Sequence, residues 1–116
     1  MSRGKTKIQL AQQIFCIVTL MLVTVNANAD LPISRQSELL HLLKHDCGSC
    51  HGMTMQGGLG PSLQPQFIAG KPKEFLVNTI LQGRQGTPMP PWRQFISEQE
   101  ANWMVDVLLK EDSHVR

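Results

Sequence analysis

The chain has 116 residues, 41% of them apolar, and a formal charge of +2. Residues 1–29 read as an export leader, and removing them from 116 leaves 87 residues with eight Lys/Arg against nine Asp/Glu, so the basic excess belongs to the leader. That length excludes an eightfold α/β barrel and a two-domain dinucleotide enzyme, and the want of a basic stripe with interleaved aromatics argues against nucleic acid as a partner.

The leader comes first. Arg3, Lys5 and Lys7 form a positive start, and Ile14 to Val25 is apolar apart from Thr19 and Thr24. Ala27-Asn28-Ala29 then offers small residues at the cleavage positions. The apolar run is too short for a span needing ~20 residues. The expected organisation is therefore a secretory signal peptide over 1–29, with membrane contact only during export, and one domain over 30–116. Cys16 leaves with the leader, so the mature chain keeps Cys47 and Cys50 alone. A chain this short commonly needs a disulfide, a metal or a cofactor to supplement its core.

A first helix is expected from Ser34 or Arg35 towards Cys47, with Leu39, Leu40, Leu42 and Leu43 as its apolar face. It leads into Cys47-Gly48-Ser49-Cys50-His51, the attachment pentad of c-type haem. On a helix, Cys47, Cys50 and His51 project from one face. The thiols then meet one edge of the porphyrin while the imidazole reaches the iron, and Gly48 and Ser49 are small enough to admit the macrocycle. A thioredoxin-like pair needs a larger α/β domain, a structural zinc site needs four ligands, and a disulfide across two residues is strained.

Residues 52–70, rich in glycine, read as a loop with little regular structure. Within it, Met53 and Met55 are expected to form an adaptable apolar rim for a docking partner. A second helix is expected from Pro72 to Gly83, burying Phe75, Leu76, Val77, Ile80 and Leu81. The loop Gly86-Thr87-Pro88-Met89-Pro90-Pro91-Trp92 follows. A last helix opens on the capping box Ser97-Glu98-Gln99-Glu100. Its stripes, Trp103 with Val107 and Met104 with Leu108, are expected to pack on the first helix. No strand alternation of useful length is present, so the fold class is all-α, with about three main helices and long loops.

Met53, Met55, Met89 and Met104 are all candidate sixth ligands to a haem iron. Met53 and Met55 follow His51 too closely to cross the porphyrin easily, and Met104 sits on a helix whose pattern reads as core. Met89 lies far enough along the chain to travel around the porphyrin edge, and Pro88, Pro90 and Pro91 stiffen its loop. His41, His45 and His114 remain as alternatives and read as surface residues. Met/His ligation fills both axial positions and raises the potential relative to harder ligands.

With these motifs in place, the string HDCGSCHGMT…GGLGPSL…ILQGRQGTPMPPW…SEQE resembles the class I c-type cytochromes. More narrowly it resembles the cytochrome c-55x family encoded with haem-cd nitrite reductase in denitrifying bacteria. The resemblance implies a small class I cytochrome c fold wrapped around one covalent haem c, attached at Cys47 and Cys50 and ligated by His51 and Met89. It implies that the Pro61 carbonyl accepts the proximal imidazole N–H. It also offers Trp92, Arg84 and Arg93 as propionate partners, while the absence of any tyrosine departs from a family contact. The function implied is a monomeric periplasmic one-electron carrier, not an enzyme, donating to haem-cd nitrite reductase in denitrification. A part in maturing that enzyme's haem is the alternative, and a haem enzyme or gas sensor follows instead if Met89 is not a ligand.

Overall fold

The computed structural model describes Gln9 and residues 30–110. The chain divides into Met1–Asp30 and Leu31–Arg116, and the second unit carries the features below. The expected leader, with Cys16, lies outside the described residues apart from Gln9, and His114 lies outside them as well.

Among the described residues every regular element is helical. Helix α1 spans Ile33–Leu42. Pro32 precedes it, with a φ of −53° that suits a helix entrance, and its carbonyl accepts from Gln36 N at 2.9 Å. The helical run reaches the pentad as expected, but not as unbroken α-helix. It passes into a π-helical turn over Leu43–Cys47, where Gly48 N donates to the Leu43 carbonyl five residues back. It then resumes as α2, Gly48–His51, and ends only at Gly52, whose φ of +86° leaves the helical region.

That π-turn sets the phase of the whole run. Twelve residues of regular α-helix advance ~1,200°, which would set position 51 about 120° around the axis from position 39. One residue wound in extra removes about 100° of that advance. Leu39, Leu43 and His51 thereby share one face, and all three are buried.

Beyond Gly52 the chain folds back on the helix end. Gly57 N donates to the His51 carbonyl at 2.7 Å and Gly60 N to the Cys50 carbonyl at 2.8 Å, satisfying carbonyls that the helix end leaves unpaired. The expectation of a featureless stretch over 52–70 needs one correction. Pro65–Ile68 form a short helix, α3, with Pro65 in the first turn, where its missing N–H loses nothing.

Helix α4 is Lys73–Gln82, bounded by Pro72 and by Gly83 at φ +66°. Val77 and Leu81 are fully in the core, but Phe75, expected there, is 48% exposed. Helix α5 is Glu98–Leu109, and its capping box forms as read. Glu100 N donates to Ser97 Oγ at 3.3 Å and Ser97 N to Glu100 Oε2 at 2.6 Å. Ala101, Met104, Val105 and Leu108 face the core. The helix packs on α1 as expected, yet its most extensive contact is with α4. Two ion pairs tie these helices: Arg35 to Glu100, joining α1 to α5, and Lys73 to Asp106 at 2.7 Å, joining α4 to α5.

Candidate functional site

The helices enclose an apolar cavity of about 800 Å³, inside the roughly 300–1,000 Å³ range of small-molecule and cofactor sites. Cys47, Cys50 and His51 line it from the first helical run, and Pro88, Met89 and Trp92 line it from the loop after α4. Residues far apart in sequence thus bring two thiols, an imidazole and a thioether to one cavity. Gly48 and Ser49 are not on its lining. Gly48 packs beside Met53, and the Ser49 hydroxyl turns back to the Asp46 carbonyl at 2.6 Å.

The imidazole of His51 is held on two sides. Its Nδ1 lies 2.7 Å from the Pro61 carbonyl oxygen. A carbonyl can only accept, so Nδ1 carries the proton and Nε2 keeps its lone pair for a metal. Gly60 packs against the ring: a Cβ there would stand 2.6 Å from Cε1 and 2.8 Å from Nδ1. The sequence reading missed Gly60 in this role, although a glycine directly before the expected contact proline was the available signal. Burial pushes the Cys47 thiol up to about 12, with the Asp46 carboxylate adding to the shift. Cys47 and Cys50 carry no disulfide.

The Met89 loop is pinned to the end of α4. Arg84 N donates to the Met89 carbonyl at 3.2 Å, Trp92 N to the Ile80 carbonyl and Arg93 N to the Leu81 carbonyl, each at 3.2 Å. Thr87 Oγ1 donates to the Arg84 carbonyl at 2.7 Å and accepts from Met89 N at 3.3 Å. Gly83 makes the close approach possible, since a Cβ there would fall 2.6 Å from the Met89 oxygen. Of the other candidate ligands, Met104 is fully buried in the core and off the cavity lining, and His41 and His45 are exposed.

The remaining expectations divide. Trp92 and Arg84 line the cavity, whereas Arg93 does not. Arg93 instead reaches Gln82, whose amide oxygen, in the orientation that satisfies both groups, accepts at 3.0 and 3.2 Å. The docking rim is corrected at Met55. That side chain is 3% exposed, its φ is +57°, and its carbonyl accepts from Leu63 N and Ser62 Oγ. It fills the interior of the loop, where apolar burial outweighs the strain of a left-handed backbone. Met53 is exposed, as are Leu59 and Phe67, which border the cavity.

A family model described as cytochrome c oxidase, cbb3-type, subunit III, matches residues 35–106. The chain is also similar to cytochrome c55X of Pseudomonas aeruginosa, at 57% identity over 76 residues, 66% of this chain and 64% of that protein. Against cytochrome c55X of Paracoccus denitrificans, identity is 48% over 80 residues, 69% of this chain and 78% of the relative. Among solved structures, a chain described as c-type cytochrome NirC superposes with a TM-score of 0.68 at 52% identity, covering 69% of this chain and 94% of its own. The chain belongs to the c-type cytochromes, in the cytochrome c55X family. Its cofactor is covalently bound haem c, and the fold is that of a c-type cytochrome. The cavity fits that group: it is apolar, and its donors are the two thiols, the free Nε2 and the thioether. No helix among the described residues of the cytochrome is long and apolar enough to cross a membrane. The match spans slightly less than two thirds of the Pseudomonas relative's length.

Proposed function

We propose that the cytochrome is a monomeric, periplasmic one-electron carrier that donates to haem-cd nitrite reductase in denitrification, and that residues 1–29 are its cleaved export signal. Cys47 and Cys50 hold the cofactor by thioethers, and His51 and Met89 ligate its iron. The observation that carries this reading is the meeting of the Cys-x-x-Cys-His helix end with the pinned Met89 loop at one apolar cavity.

Bound there, haem supplies an Fe(III)/Fe(II) couple at a potential raised by a thioether ligand. The protein's own groups do the rest. Pro61 keeps the proton on Nδ1 and orients the ring. The bonds from Arg84 and Thr87 hold Met89 in place, so a change of iron charge requires little ligand movement. With His51 and Met89 both holding the iron, no position would be left for a substrate, and the site would transfer electrons only.

Three measurements test this reading. Intact mass of the exported protein should equal residues 30–116 plus one haem that acidic acetone does not extract. Met89→Ala should lower the reduction potential and open the iron to carbon monoxide with the haem still attached. Rapid mixing of the reduced protein with haem-cd nitrite reductase should reoxidise it within the enzyme's turnover time. An extractable haem overturns the attachment, an unaltered carbon monoxide response in Met89→Ala overturns the ligation, and failure to reoxidise overturns the partner.

A further inference from the structure

Outside the haem cavity, two imidazoles stand together on the surface of the first helical run. His41 lies in the last turn of α1 and His45 in the π-turn, and both are exposed. Their ring centroids are 4.3 Å apart, with the planes inclined at 37°. Neither lines the cavity, and nothing in the electron-carrier reading uses them.

We propose that His41 and His45 form a two-imidazole chelate for a divalent transition metal, with Cu²⁺ as the preferred ion. The four-residue spacing is the one that paired helical histidines use to grip a metal. A metal–imidazole bond of about 2.0–2.1 Å puts each ring centre about 3.2 Å from the ion, so two rings at a right angle have centres about 4.5 Å apart. At a tetrahedral angle the separation is about 5.2 Å. The observed 4.3 Å is close enough to both separations for side-chain rotation to seat the two rings on one ion. The order of divalent affinities selects Cu²⁺, which stands above its neighbours at nitrogen ligands.

The backbone is already organised for this. Both residues belong to one uninterrupted helical run, so only rotations about side-chain bonds are needed to aim the ring nitrogens at one ion. Exposure leaves the other coordination positions to water. Lys44, half-buried, and Asp46, exposed, flank His45 in the sequence.

The test uses the oxidised holoprotein titrated with CuCl₂ and, in parallel, with ZnCl₂. Calorimetry reads the affinity, and electron paramagnetic resonance of the copper reads the number of coordinated nitrogens. We expect a site with two nitrogen ligands that His41→Ala and His45→Ala each weaken by at least tenfold. His114→Ala should leave it intact, and Zn²⁺ should bind more weakly than Cu²⁺. The haem absorption spectrum of each variant verifies that the fold is kept. Unchanged affinity in either single variant, or loss of the site in His114→Ala, overturns the chelate. Tighter binding of Zn²⁺ than of Cu²⁺ overturns the choice of ion.

Discussion

Gly60 shows how little space surrounds the His51 imidazole. A Cβ there would meet the His51 ring at 2.6 Å, while Pro61 O holds Nδ1 at 2.7 Å from the neighbouring position. The ring has a hydrogen bond to lose if it moves and an overlap to bear if it stays. Overpacking of this kind costs about 1–3 kcal/mol. Gly60→Ala should therefore reduce stability by that amount and shift the reduction potential, both readable by denaturant titration and spectroelectrochemistry. Gly70 is the control, with nothing within 4 Å of its Cβ position. Gly70→Ala should leave the potential where it was, and equal effects of the two substitutions would show that the His51 contact is immaterial.

At the scale of elements, the junction between α4 and the Met89 loop carries the most consequence. Three backbone bonds from the loop reach back to Ile80 and Leu81 or close on Met89 itself. Gly83, at φ +66°, turns the chain where the Met89 and Pro90 backbone passes closest. Gly83→Ala adds about 1–3 kcal/mol of backbone strain, since φ +66° with ψ −166° is a region open essentially to glycine alone, to a steric overlap that pushes the loop away. Its expected signature is a weakened sulfur-to-iron absorption together with lower stability. Gly86 shares the positive φ, at +76°, but has open space at its Cβ position. Gly86→Ala should show the strain alone, with its absorption unchanged. Matching spectra for the two variants would argue against a seating role for Gly83.

Across the molecule, α5 joins the other helices by core packing and by ion pairs, and the two respond to different perturbations. Met104 is completely buried and off the cavity. Met104→Ala should cost ~2–5 kcal/mol in denaturant melts while the iron stays closed to carbon monoxide. Glu100 accepts from Arg35 and from Ser97 N, so it links α1 to α5 and caps α5 together. The Arg35 hydrogen bond, chiefly, holds its carboxyl below the ordinary 4.5, against the opposing effect of burial. A carboxyl depressed by folding stabilises the native state fully above its unfolded value, and that contribution is lost as pH falls through the folded value. Melting temperature should therefore fall more steeply below about pH 4.5 in the parent than in Glu100→Gln, with the two curves converging in acid. Parallel curves down to pH 3 would remove Glu100 from the acid response.

The haem pentad, the capping box of α5 and the Pro72–Gly83 limits of α4 were legible in the sequence because each depends on residues near one another along the chain. Spacing, a capping hydroxyl and a terminal glycine act locally, and the structure reproduces the last two. Met89 was legible as a candidate because its proline-rich loop lies far enough beyond His51. Its arrival at the cavity depended on hydrogen bonds to Ile80, Leu81 and Arg84, which no local pattern records. The π-turn at Leu43–Cys47 was not legible either, since leucines at these spacings suit an unbroken α-helix equally well. Burial of Met55 and exposure of Phe75 turn on which neighbours the fold supplies, not on side-chain type. Local chemistry named the candidate haem-binding residues; long-range packing set the helix phase that turns His51 inward and the close backbone approach at Gly83 that brings Met89 to the cavity.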